Sequence, residues 1–419
     1  MVQLVYLLRT SQGQTQGKKG REMHIAWLGK KTPVCGNVIY SREITNALLD
    51  RGHRVSFLHF AENELDADQN QSAISDNGFD NNGDNSPEAQ EVPLPFLYKS
   101  TIYTVPSLRA NKMLVDALRN LKPDLVHASL ALSPLDFRLP EICADLSVPL
   151  VATFHQPFDI KRRNLTSSTQ LLTYQIYAPS LADYDRVIVF SNAQKGLLNS
   201  LGVPNNRLMV IPNGVDTVRY SPGPSNIKQE LNAERLYVYQ GRLASEKNVD
   251  ALLQGWRKAK MPLGHKLAIV GTGPLASALK AAYGNDKNII WLGFIGDEDR
   301  RIEILRGADV FILPSFVEGL SLSLLEAMSC GMACLATDVG ADGEVISNGA
   351  GIALDSRKVV SQLATLLPVL AVQPELITIL GQKARQRVLD LYTLEKNITL
   401  LEQTYDQVVS QTWVRMSTL

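Results

Sequence analysis

The stretch "DVFILPSFVEGLSLSLLEAMSCGMACLATDVG", residues 309–340, contains the pattern that decides the fold. It opens with the apolar run "DVFILP", continues through a loop into a segment rich in Leu, Ala and Met, and closes on a second apolar run, "ACLAT". A buried strand, a helix and another buried strand form a β-α-β unit, whose two strands run parallel and are covered on both faces. The stretch therefore predicts an α/β fold.

The same alternation runs through most of the chain. Apolar runs such as "HIAWLG", "RVSFLHF" and "DLVHAS" in the first half, and "RLYVYQG", "KLAIVG" and "IIWLG" in the second, are separated by segments of helical periodicity. At 419 residues the chain is long enough for two domains. The segment "RYSPGPSN", residues 219–226, indicates a hinge. We therefore expect two Rossmann-like parallel-sheet domains facing a central cleft, with ligands beyond the carboxyl ends of the strands.

This organisation divides the chain into four segments. We expect residues 1–22 to be a disordered extension and residues 23–220 to form the first Rossmann-like domain. Residues 221–395 are expected to form the second domain, and residues 396–419 a helix that packs back on the first. Within the first domain, residues 61–91 carry nine acids and no base, and 62–91 has almost no aliphatic side chains. That composition predicts a disordered acidic insert over 62–91.

Overall charge and cysteine content exclude some classes of protein. Lys+Arg and Asp+Glu are both 42, which gives no indication of nucleic-acid binding. Residues 161–230 hold eight bases against four acids, which suits a phosphorylated substrate, an anionic membrane or a solvated basic face. The four cysteines form no C-x-x-C pair and indicate reduced thiols in a cytoplasmic protein. No apolar run reaches the roughly 18–20 residues of a membrane span. At the N-terminus the bases follow the apolar patch, the reverse of a signal peptide.

Two glutamates flank the predicted helix of the opening stretch. Glu318 lies in the loop after the strand, beside Gly319, and Glu326 lies within the helix, whose cap is Ser321 or Ser323. The amides of the first turn would form an anion site. One reading assigns one acid to the hydroxyls of a sugar and the other to a ribose. The alternative is that Ser323-x-x-Glu326 is a capping box without a role in binding.

The segment "YQGRLASEKN", residues 239–248, follows another strand and places Arg242 and Lys247 at the same cleft. A guanidinium and an ammonium together suit a diphosphate, and the alternative is that they are two solvated bases. The sequence has no His, Asp or Glu cluster with metal-ligand spacing, so we expect neither a metal nor a cofactor.

Five motifs in order, "VIPNGVDTVRYSP", "GRLASEKN", "VGTGPL", "LGFIG" and the stretch from Leu313 to Ile346, resemble those of the retaining glycosyltransferases of family 4, which have the GT-B fold. The resemblance covers nearly the whole chain from Met23 except the acidic insert. It implies that the second domain binds a nucleoside-diphosphate sugar and that the reaction retains anomeric configuration. The resemblance further implies that the acceptor attacks from the leaving-group side and that the departing phosphate takes the proton, and the sequence offers no obvious protein nucleophile.

The resemblance also implies roles for individual residues. In the donor site it assigns Arg242 and Lys247 to the diphosphate and Glu326 to the ribose. Glu318, Gly319, Leu320 and Ser321 would hold the sugar and phosphate. Phe294 and Ile295 would contact the base. In the first domain the family's glycine-rich loop matches "TPVCGNV" at Gly36, and its histidine near the reacting sugar matches "TFHQPFD" at His155. This loop departs from the usual Gly-Gly by having Cys35 before Gly36. The residues expected to act in catalysis are His155, Arg242, Lys247 and Glu318.

Two further motifs carry weaker signals. The segment "GTGPLA", residues 271–276, matches a dinucleotide fingerprint, but the next strand does not end in the acid that such a site needs. His127 ends the strand "DLVHAS" and is more typical of a packed residue than of a base.

The acceptor is indicated by residues 159–185. This segment joins the bases Lys161, Arg162 and Arg163 to a stretch rich in Leu, Tyr and Ile, and predicts either an interfacial helix on an anionic membrane or a buried helix with a basic start. The first domain also resembles that of the cyanobacterial digalactosyldiacylglycerol synthases. That resemblance implies a UDP-sugar donor such as UDP-galactose, a glycolipid acceptor such as monogalactosyldiacylglycerol, and a peripheral position on the cytoplasmic face of a membrane. A soluble or polysaccharide acceptor, or an inactive binding protein of the same fold, are the alternatives.

Overall fold

The computed structural model describes residues 21–32, 35–61, 89–100, 103–130, 132–159, 161 and 165–417, with backbone only for 165–168, 413 and 415–417. Nearly all of the predicted N-terminal extension and of the acidic insert lies outside these residues. The insert does end earlier than expected, because Gln90 and Glu91 already belong to a strand of the first sheet. Glu91 is held there by Lys31, whose Nζ lies 2.5 Å from its carboxylate.

The first domain is built on a seven-stranded parallel sheet with the order β3-β2-β1-β6-β7-β8-β9. The strands are β1 (His24–Gly29), β2 (Arg54–Phe60), β3 (Gln90–Leu94), β6 (Leu125–Ser129), β7 (Leu150–Thr153), β8 (Arg186–Val189) and β9 (Leu208–Val210). Central strands such as β1 and β7 are buried along their whole length, as expected for a parallel sheet covered on both faces. Sequential strands run outward from β1 in both directions, which places the switch point, and hence the cleft, at the carboxyl ends of β1 and β6.

The helices of the first domain follow the strands that the sequence pattern indicated. They are α1 (Gly36–Asp50), α2 (Ala110–Leu121), α3 (Leu139–Asp145), α4 (Leu165–Leu181) and α5 (Asn192–Ser200), with single 3-10 turns at Pro134–Phe137 and Asn205–Arg207. Helix α1 buries Ile44, Leu48 and Leu49 against the sheet, at the spacing of one helical face.

An antiparallel hairpin, β4 (Phe96–Lys99) and β5 (Thr104–Pro106), stands outside the main sheet. The run "STIYTV", residues 100–105, by itself predicts a single strand of the β-α alternation. The hairpin is fixed instead by lysine side chains. Lys99 Nζ donates to the carbonyl of Phe60 at 2.8 Å, and Lys30 Nζ donates to the carbonyl of Ser100 at 3.2 Å.

The second domain has a six-stranded parallel sheet with the order β12-β11-β10-β13-β14-β15. Its strands are β10 (Arg235–Gln240), β11 (His265–Val270), β12 (Ile289–Gly293), β13 (Val310–Leu313), β14 (Ala333–Thr337) and β15 (Ile352–Leu354). Its helices are α6 (Ile227–Glu230), α7 (Val249–Ala259), α8 (Ala276–Tyr283), α9 (Glu298–Gly307), α10 (Leu322–Ser329), α11 (Asp342–Val345), α12 (Val359–Val372) and α13 (Pro374–Leu391), with a 3-10 turn at Ser245–Lys247. The opening stretch forms β13, α10 and β14, so it is the β-α-β unit that its pattern predicts. The molecule thus has two Rossmann-like parallel-sheet domains.

The last helix, α14 (Leu394–Ser417), follows the second domain but contacts the first. Arg51 Nη1 lies 2.6 Å from Glu402 of this helix, and His53 Nε2 lies 3.0 Å from the same carboxylate. The start of α14 is joined to the segment between the sheets by the parallel bridge between Val215 and Thr393.

Among the described residues, no single helix is long and apolar enough to cross a bilayer. The pair α12 and α13, bent by 106°, meets the length and composition criteria only when the two are taken together.

Candidate active site

The loop between β13 and α10 lies at the carboxyl end of the central strand of the second sheet. Helix α10 begins at Leu322, and its N-cap is Ser321, whose hydroxyl accepts from the amide of Leu324 at 3.3 Å. Ser323 is therefore inside the helix, and Glu326 is not the third residue of a capping box built on it. The carboxylate of Glu326 instead accepts a hydrogen bond from Gln240 Nε2 at 2.9 Å. The structure thus excludes the capping-box alternative.

Glu318 is buried in this loop and is held by two donors. Its Oε1 accepts from Ser315 Oγ at 2.6 Å and lies 2.6 Å from Lys247 Nζ. The 3-10 turn that carries Lys247 is tied to the same loop, because the amide of Phe316 donates to the carbonyl of Glu246 at 2.8 Å. Two of the residues singled out from separate motifs therefore touch each other directly.

Backbone hydrogen bonds fasten this loop to the first domain. The amide of Phe158 donates to the carbonyl of Glu318 at 3.0 Å, and the amide of Gly340 donates to the carbonyl of Phe158 at 2.9 Å. A Cβ on Gly319 would stand 3.0 Å from the carbonyl oxygen of His155. The loop after β7, which carries the predicted histidine, is thus packed on the loop that carries the predicted sugar-binding acid.

His155 is half-buried at the end of β7, where its imidazole is oriented by neighbouring side chains. Ser129 Oγ lies 2.8 Å from its Nε2, and Asn37 Oδ1 accepts from Ser129 at 2.5 Å. The rings of Tyr40 and His155 meet edge to face with centroids 4.7 Å apart. Burial lowers the pKa of His155 to about 3, so the ring is neutral at physiological pH.

Glu326 faces the cleft from α10. Burial raises the pKa of this carboxyl to about 7, and the nearby charge of Arg301 opposes the shift while Glu298 and Glu43 add to it. Glu43 belongs to α1 of the first domain, so this carboxylate feels charges from both domains. A group that ionises near neutrality and lies beside other polar side chains is typical of a binding site.

Arg242 lies on the loop after β10, where its guanidinium pairs with the carboxylate of Glu246. This loop runs against the "GTGPLA" segment, because the amide of Leu243 donates to the carbonyl of Thr272 at 2.9 Å. A Cβ on Gly273 would stand 2.5 Å from the carbonyl oxygen of Leu243. The glycines of that motif therefore permit two loops to approach at the strand ends, which accounts for them without a dinucleotide.

The remaining predicted residues lie farther from this group. Phe294 is 55% exposed after β12, and the carbonyl of Ile295 accepts from Arg301 at 2.9 Å, the arginine whose charge acts on Glu326. Gly36 is the first residue of α1, and no described atom lies within 4 Å of the position its Cβ would take. The space beside Gly36 where a side chain would stand is therefore open among the described residues.

Several polar residues of the site escaped the motif-based predictions. Asn213 Nδ2 donates to the carbonyl of Leu320 at 3.0 Å, and the fully buried Asp342 accepts from the amide of Ser321 at 2.9 Å. Burial is the largest cause that raises the pKa of Asp342 well above its usual range. Both residues lie within the quoted motifs "VIPNGVD" and "TDVGADG", so their polar character inside an apolar context was the available signal.

The part of the chain that the structure describes contains no cluster of metal ligands. No group of three or more His, Cys, Asp or Glu side chains there is arranged to hold an ion. His127 is fully buried and hydrogen-bonded to Tyr405 and Thr153. That position suits the packed residue expected from the sequence.

Comparison with known families agrees with this architecture. Residues 35–219 match the family model described as Glycosyltransferase Family 4, and residues 234–370 match the model described as Glycosyl transferases group 1. Together the two models cover well over half of the chain.

Two similar proteins of known description are an Escherichia coli UDP-Gal:alpha-D-GlcNAc-diphosphoundecaprenol alpha-1,3-galactosyltransferase and a Bacillus anthracis N-acetyl-alpha-D-glucosaminyl L-malate synthase. Each is 28% identical to this chain, over 245 and 237 residues respectively. Each alignment covers 54% of this chain and 61% and 60% of the two relatives, so the chain spans less than two thirds of their length.

Solved structures share the whole fold. Anabaena HepE in complex with UDP superimposes with a TM-score of 0.71 at 17% identity, covering 92% of this chain and 100% of that one. A sucrose-phosphate synthase from Thermosynechococcus elongatus superimposes with a TM-score of 0.72 at 20% identity, covering 93% of this chain and 100% of that one. On its matched family models and its two-domain architecture, the chain belongs to the family 4 glycosyltransferases with the GT-B fold.

Proposed function

We propose that the protein is a retaining hexosyltransferase that moves a hexose from a UDP-sugar, UDP-galactose in the first instance, to a membrane glycolipid such as monogalactosyldiacylglycerol. The observation that carries the proposal is the meeting of Lys247 and Glu318 beside the loop of His155. In this proposal Lys247 supplies a cation for the leaving diphosphate and Glu318 an acid for sugar hydroxyls, and the backbone of His155 lies against the loop of Glu318 at Gly319.

The donor phosphates would be held from the second domain. Bond cleavage leaves negative charge on the diphosphate, which Lys247, Arg242 and the amides at the start of α10 stabilise. Lys247 is already oriented by Glu318, and Arg242 by Glu246, so neither cation has to be ordered when the donor arrives. Pre-ordered charges lower the reorganisation that the reaction requires.

The sugar and the nucleoside would be held by the acids and the histidine. Ser129 bonds Nε2 of His155, which leaves Nδ1 as the atom that we assign to a sugar hydroxyl. Glu318 accepts from another hydroxyl, and Glu326 from the ribose, with Phe294 and Ile295 beside the base. The acceptor hydroxyl attacks the anomeric carbon from the side of the departing phosphate, and that phosphate takes the proton.

The donor and acceptor classes are supported by the relatives and by one surface. The name of the E. coli relative specifies a UDP-Gal donor and a diphosphoundecaprenol acceptor, and that of another relative, from Arabidopsis thaliana, is Sulfoquinovosyl transferase SQD2. Helix α4 buries Tyr174 and Tyr177 on one face but exposes Leu172 and Ile176, at 57% and 55%, on another. An exposed apolar pair one turn apart is suited to an acyl-chain boundary.

A labelled-donor screen tests the proposal. Purified protein is incubated with radiolabelled UDP-galactose or UDP-glucose and with monogalactosyldiacylglycerol in detergent, and lipid-soluble label is separated by thin-layer chromatography. We expect label in a more polar lipid, with an α-linkage in the proton NMR spectrum. Label transferred only to soluble acceptors would establish the soluble-acceptor alternative. UDP binding without transfer to any acceptor would indicate an inactive binding protein.

A further inference from the structure

A continuous line of buried polar side chains joins the C-terminal helix to the candidate catalytic histidine. Tyr405 OH lies 2.5 Å from His127 Nδ1, and His127 Nε2 lies 2.8 Å from Thr153 Oγ1. Thr153 Oγ1 in turn lies 3.2 Å from Tyr40 OH. The ring of Tyr40 then meets that of His155 edge to face. Each link is a hydrogen bond or ring contact of ordinary geometry.

The side chains of this line are buried in the protein interior. Tyr405, His127 and Thr153 are fully buried, and Tyr40 is 4% exposed. The imidazole of His127 also stacks on Trp27, with ring centroids 4.0 Å apart and planes inclined by 13°. Burial lowers the pKa of His127 well below its usual range, so its ring is neutral and donates through one nitrogen while it accepts through the other. The direction of every hydrogen bond in the line is therefore coupled to its neighbours.

We propose that Tyr405 is a positioning residue that sets the orientation of His155 through His127, Thr153 and Tyr40. The proposal rests on the proposed function, in which His155 contacts the donor sugar. Thr153 lies two residues before His155 in the chain, at the end of β7, and Tyr40 forms one wall of its imidazole. Through Thr153, Tyr405 thus affects the backbone that leads to His155, and through Tyr40 it affects the ring that packs against the imidazole.

The anchoring of α14 gives this contact a consequence for the whole molecule. The start of the helix is fixed to the segment between the sheets, where the amide of Val215 donates to the carbonyl of Tyr392 at 2.9 Å and the amide of Leu394 donates to the carbonyl of Val215 at 3.0 Å. Its middle is fixed to α1 through Arg51 and Glu402. A shift of the segment between the sheets would therefore move α14, and Tyr405 would pass that shift to the side of the first sheet where His155 lies.

Replacing Tyr405 by Phe tests the proposal, because it removes only the hydroxyl that contacts His127. The matched control is Tyr184→Phe, because Tyr184 is also buried in the first domain and its hydroxyl donates to the carbonyl of Asp136 at 2.6 Å rather than to a member of the line. We expect both variants to lower Tm comparably. Only Tyr405→Phe should lower kcat, by about tenfold, with the KM for the donor unchanged, because a misoriented group near the reacting atoms costs rate more than affinity.

A second pair of variants separates positioning from packing. Thr153→Val keeps the shape of the side chain but removes the oxygen that joins His127 to Tyr40, whereas Thr153→Ser keeps that oxygen. We expect Thr153→Val to reproduce the loss of kcat and Thr153→Ser to restore most of it. Equal kcat in Tyr405→Phe, Thr153→Val and Tyr184→Phe would overturn the proposal.

A spectroscopic readout keeps the test independent of turnover. The chain has six histidines, so their ring resonances can be assigned by substitution in selectively labelled protein. The resonance of His155 should shift in Tyr405→Phe and Thr153→Val but not in Tyr184→Phe. If the parent protein transferred no sugar yet the resonance shifted, the proposed function would fail while the coupling stood. An unshifted resonance would refute the coupling itself.

Discussion

Glu318 is the residue on which both domains converge. Its carboxylate accepts from Ser315 and pairs with Lys247, while its carbonyl accepts from Phe158 across the cleft. Glu318 is only 7% exposed, so its side chain relies on these protein partners rather than on water. A diphosphate placed at Lys247 would share that ammonium with Glu318. The carboxylate would then be freed in part for a sugar hydroxyl, which is the arrangement that the proposed mechanism needs.

Lys247→Ala should reduce kcat on the order of 100-fold, which corresponds to about 3 kcal/mol of lost stabilisation of the leaving group. Glu318 also loses a cation, so Tm should fall modestly. Lys228→Ala is the matched control, because Lys228 pairs with Asp309 at 2.8 Å, away from the predicted donor residues. Steady-state kinetics and thermal unfolding of both variants check this. Near-normal turnover in folded Lys247→Ala would remove this residue from the mechanism.

For Glu326 we predict a difference in Tm between the Gln variant and the parent that depends on pH. Its pKa in the folded protein is raised to about 7, above the 4.5 expected for an unperturbed glutamate. Folding therefore favours the protonated form of Glu326. Its contribution to the free energy of unfolding is fully present below about pH 4.5 and is lost as the pH rises through 7. Glu326→Gln cannot ionise. Its Tm should exceed that of the parent at about pH 8.5, and the difference should vanish at low pH.

The control for that measurement is Glu375→Gln, which changes an exposed acid of α13 and should leave Tm unaltered at every pH. Binding of UDP, measured by calorimetry, should weaken on the order of tenfold in Glu326→Gln, since a neutral amide replaces a charged acceptor for the ribose. A lower Tm at pH 8.5 with unchanged UDP affinity would show that the carboxylate is structural.

At the scale of elements, the site is assembled from loops at the carboxyl ends of parallel strands. That placement follows from the β-α order alone, which is why the motifs after β10 and β13 could be assigned to one cleft from sequence. The hairpin of β4 and β5 could not be predicted, because hydrogen bonds between residues distant in sequence, Lys99 with Phe60 and Lys30 with Ser100, hold it. The cap of α10 was left open between two serines, and only the backbone shows that Ser321 occupies it.

Gly340 tests the close packing of these loops. It has a φ of +57°, and a Cβ there would lie 2.0 Å from the carbonyl oxygen of Glu318. Gly340→Ala should therefore lower Tm by more than the backbone strain alone, and kcat should fall because the loop of Glu318 is displaced. Gly202→Ala isolates the strain, since Gly202 has a φ of +101° and nothing within 4 Å of its Cβ position. Equal Tm losses in circular-dichroism melts would contradict the packing argument.

At the scale of the whole molecule, three of the sets of contacts between the two domains bear on the candidate site. The first is the backbone clasp of Phe158 with Glu318 and Gly340, the second is the ion pair of Lys161 with Asp338, and the third is α14. None of these pairs is close in sequence, and motif reasoning has no access to them. This is why the sequence indicated candidate donor-binding residues but missed Asn213, Asp342 and the environment of His155. Such residues act through neighbours that only the folded chain provides.

The membrane hypothesis belongs to this largest scale and has changed in one respect. Lys161, one of the three bases expected to face anionic lipid, pairs with Asp338 of the second domain, although 60% of its side chain remains exposed. Arg162 and Arg163 lie outside the described residues. Leu172 and Ile176 of α4 are exposed and would suit the acyl-chain boundary of the proposed membrane surface.

Changing Lys161, Arg162 and Arg163 together to Glu should sharply reduce binding to anionic liposomes, since each base near a charged surface contributes about 1 kcal/mol. The control reverses three exposed lysines of the second domain, Lys258, Lys260 and Lys287, with the same change in net charge. Sedimentation should show loss of binding only in the first variant, and added salt should weaken the parent in the same way. Transfer to acceptor dispersed in detergent should persist, because the proposed donor site lies in the other domain. If the parent protein ignores anionic liposomes even at low salt, the exposed face of α4 serves another purpose. The soluble-acceptor alternative would then be favoured over the glycolipid.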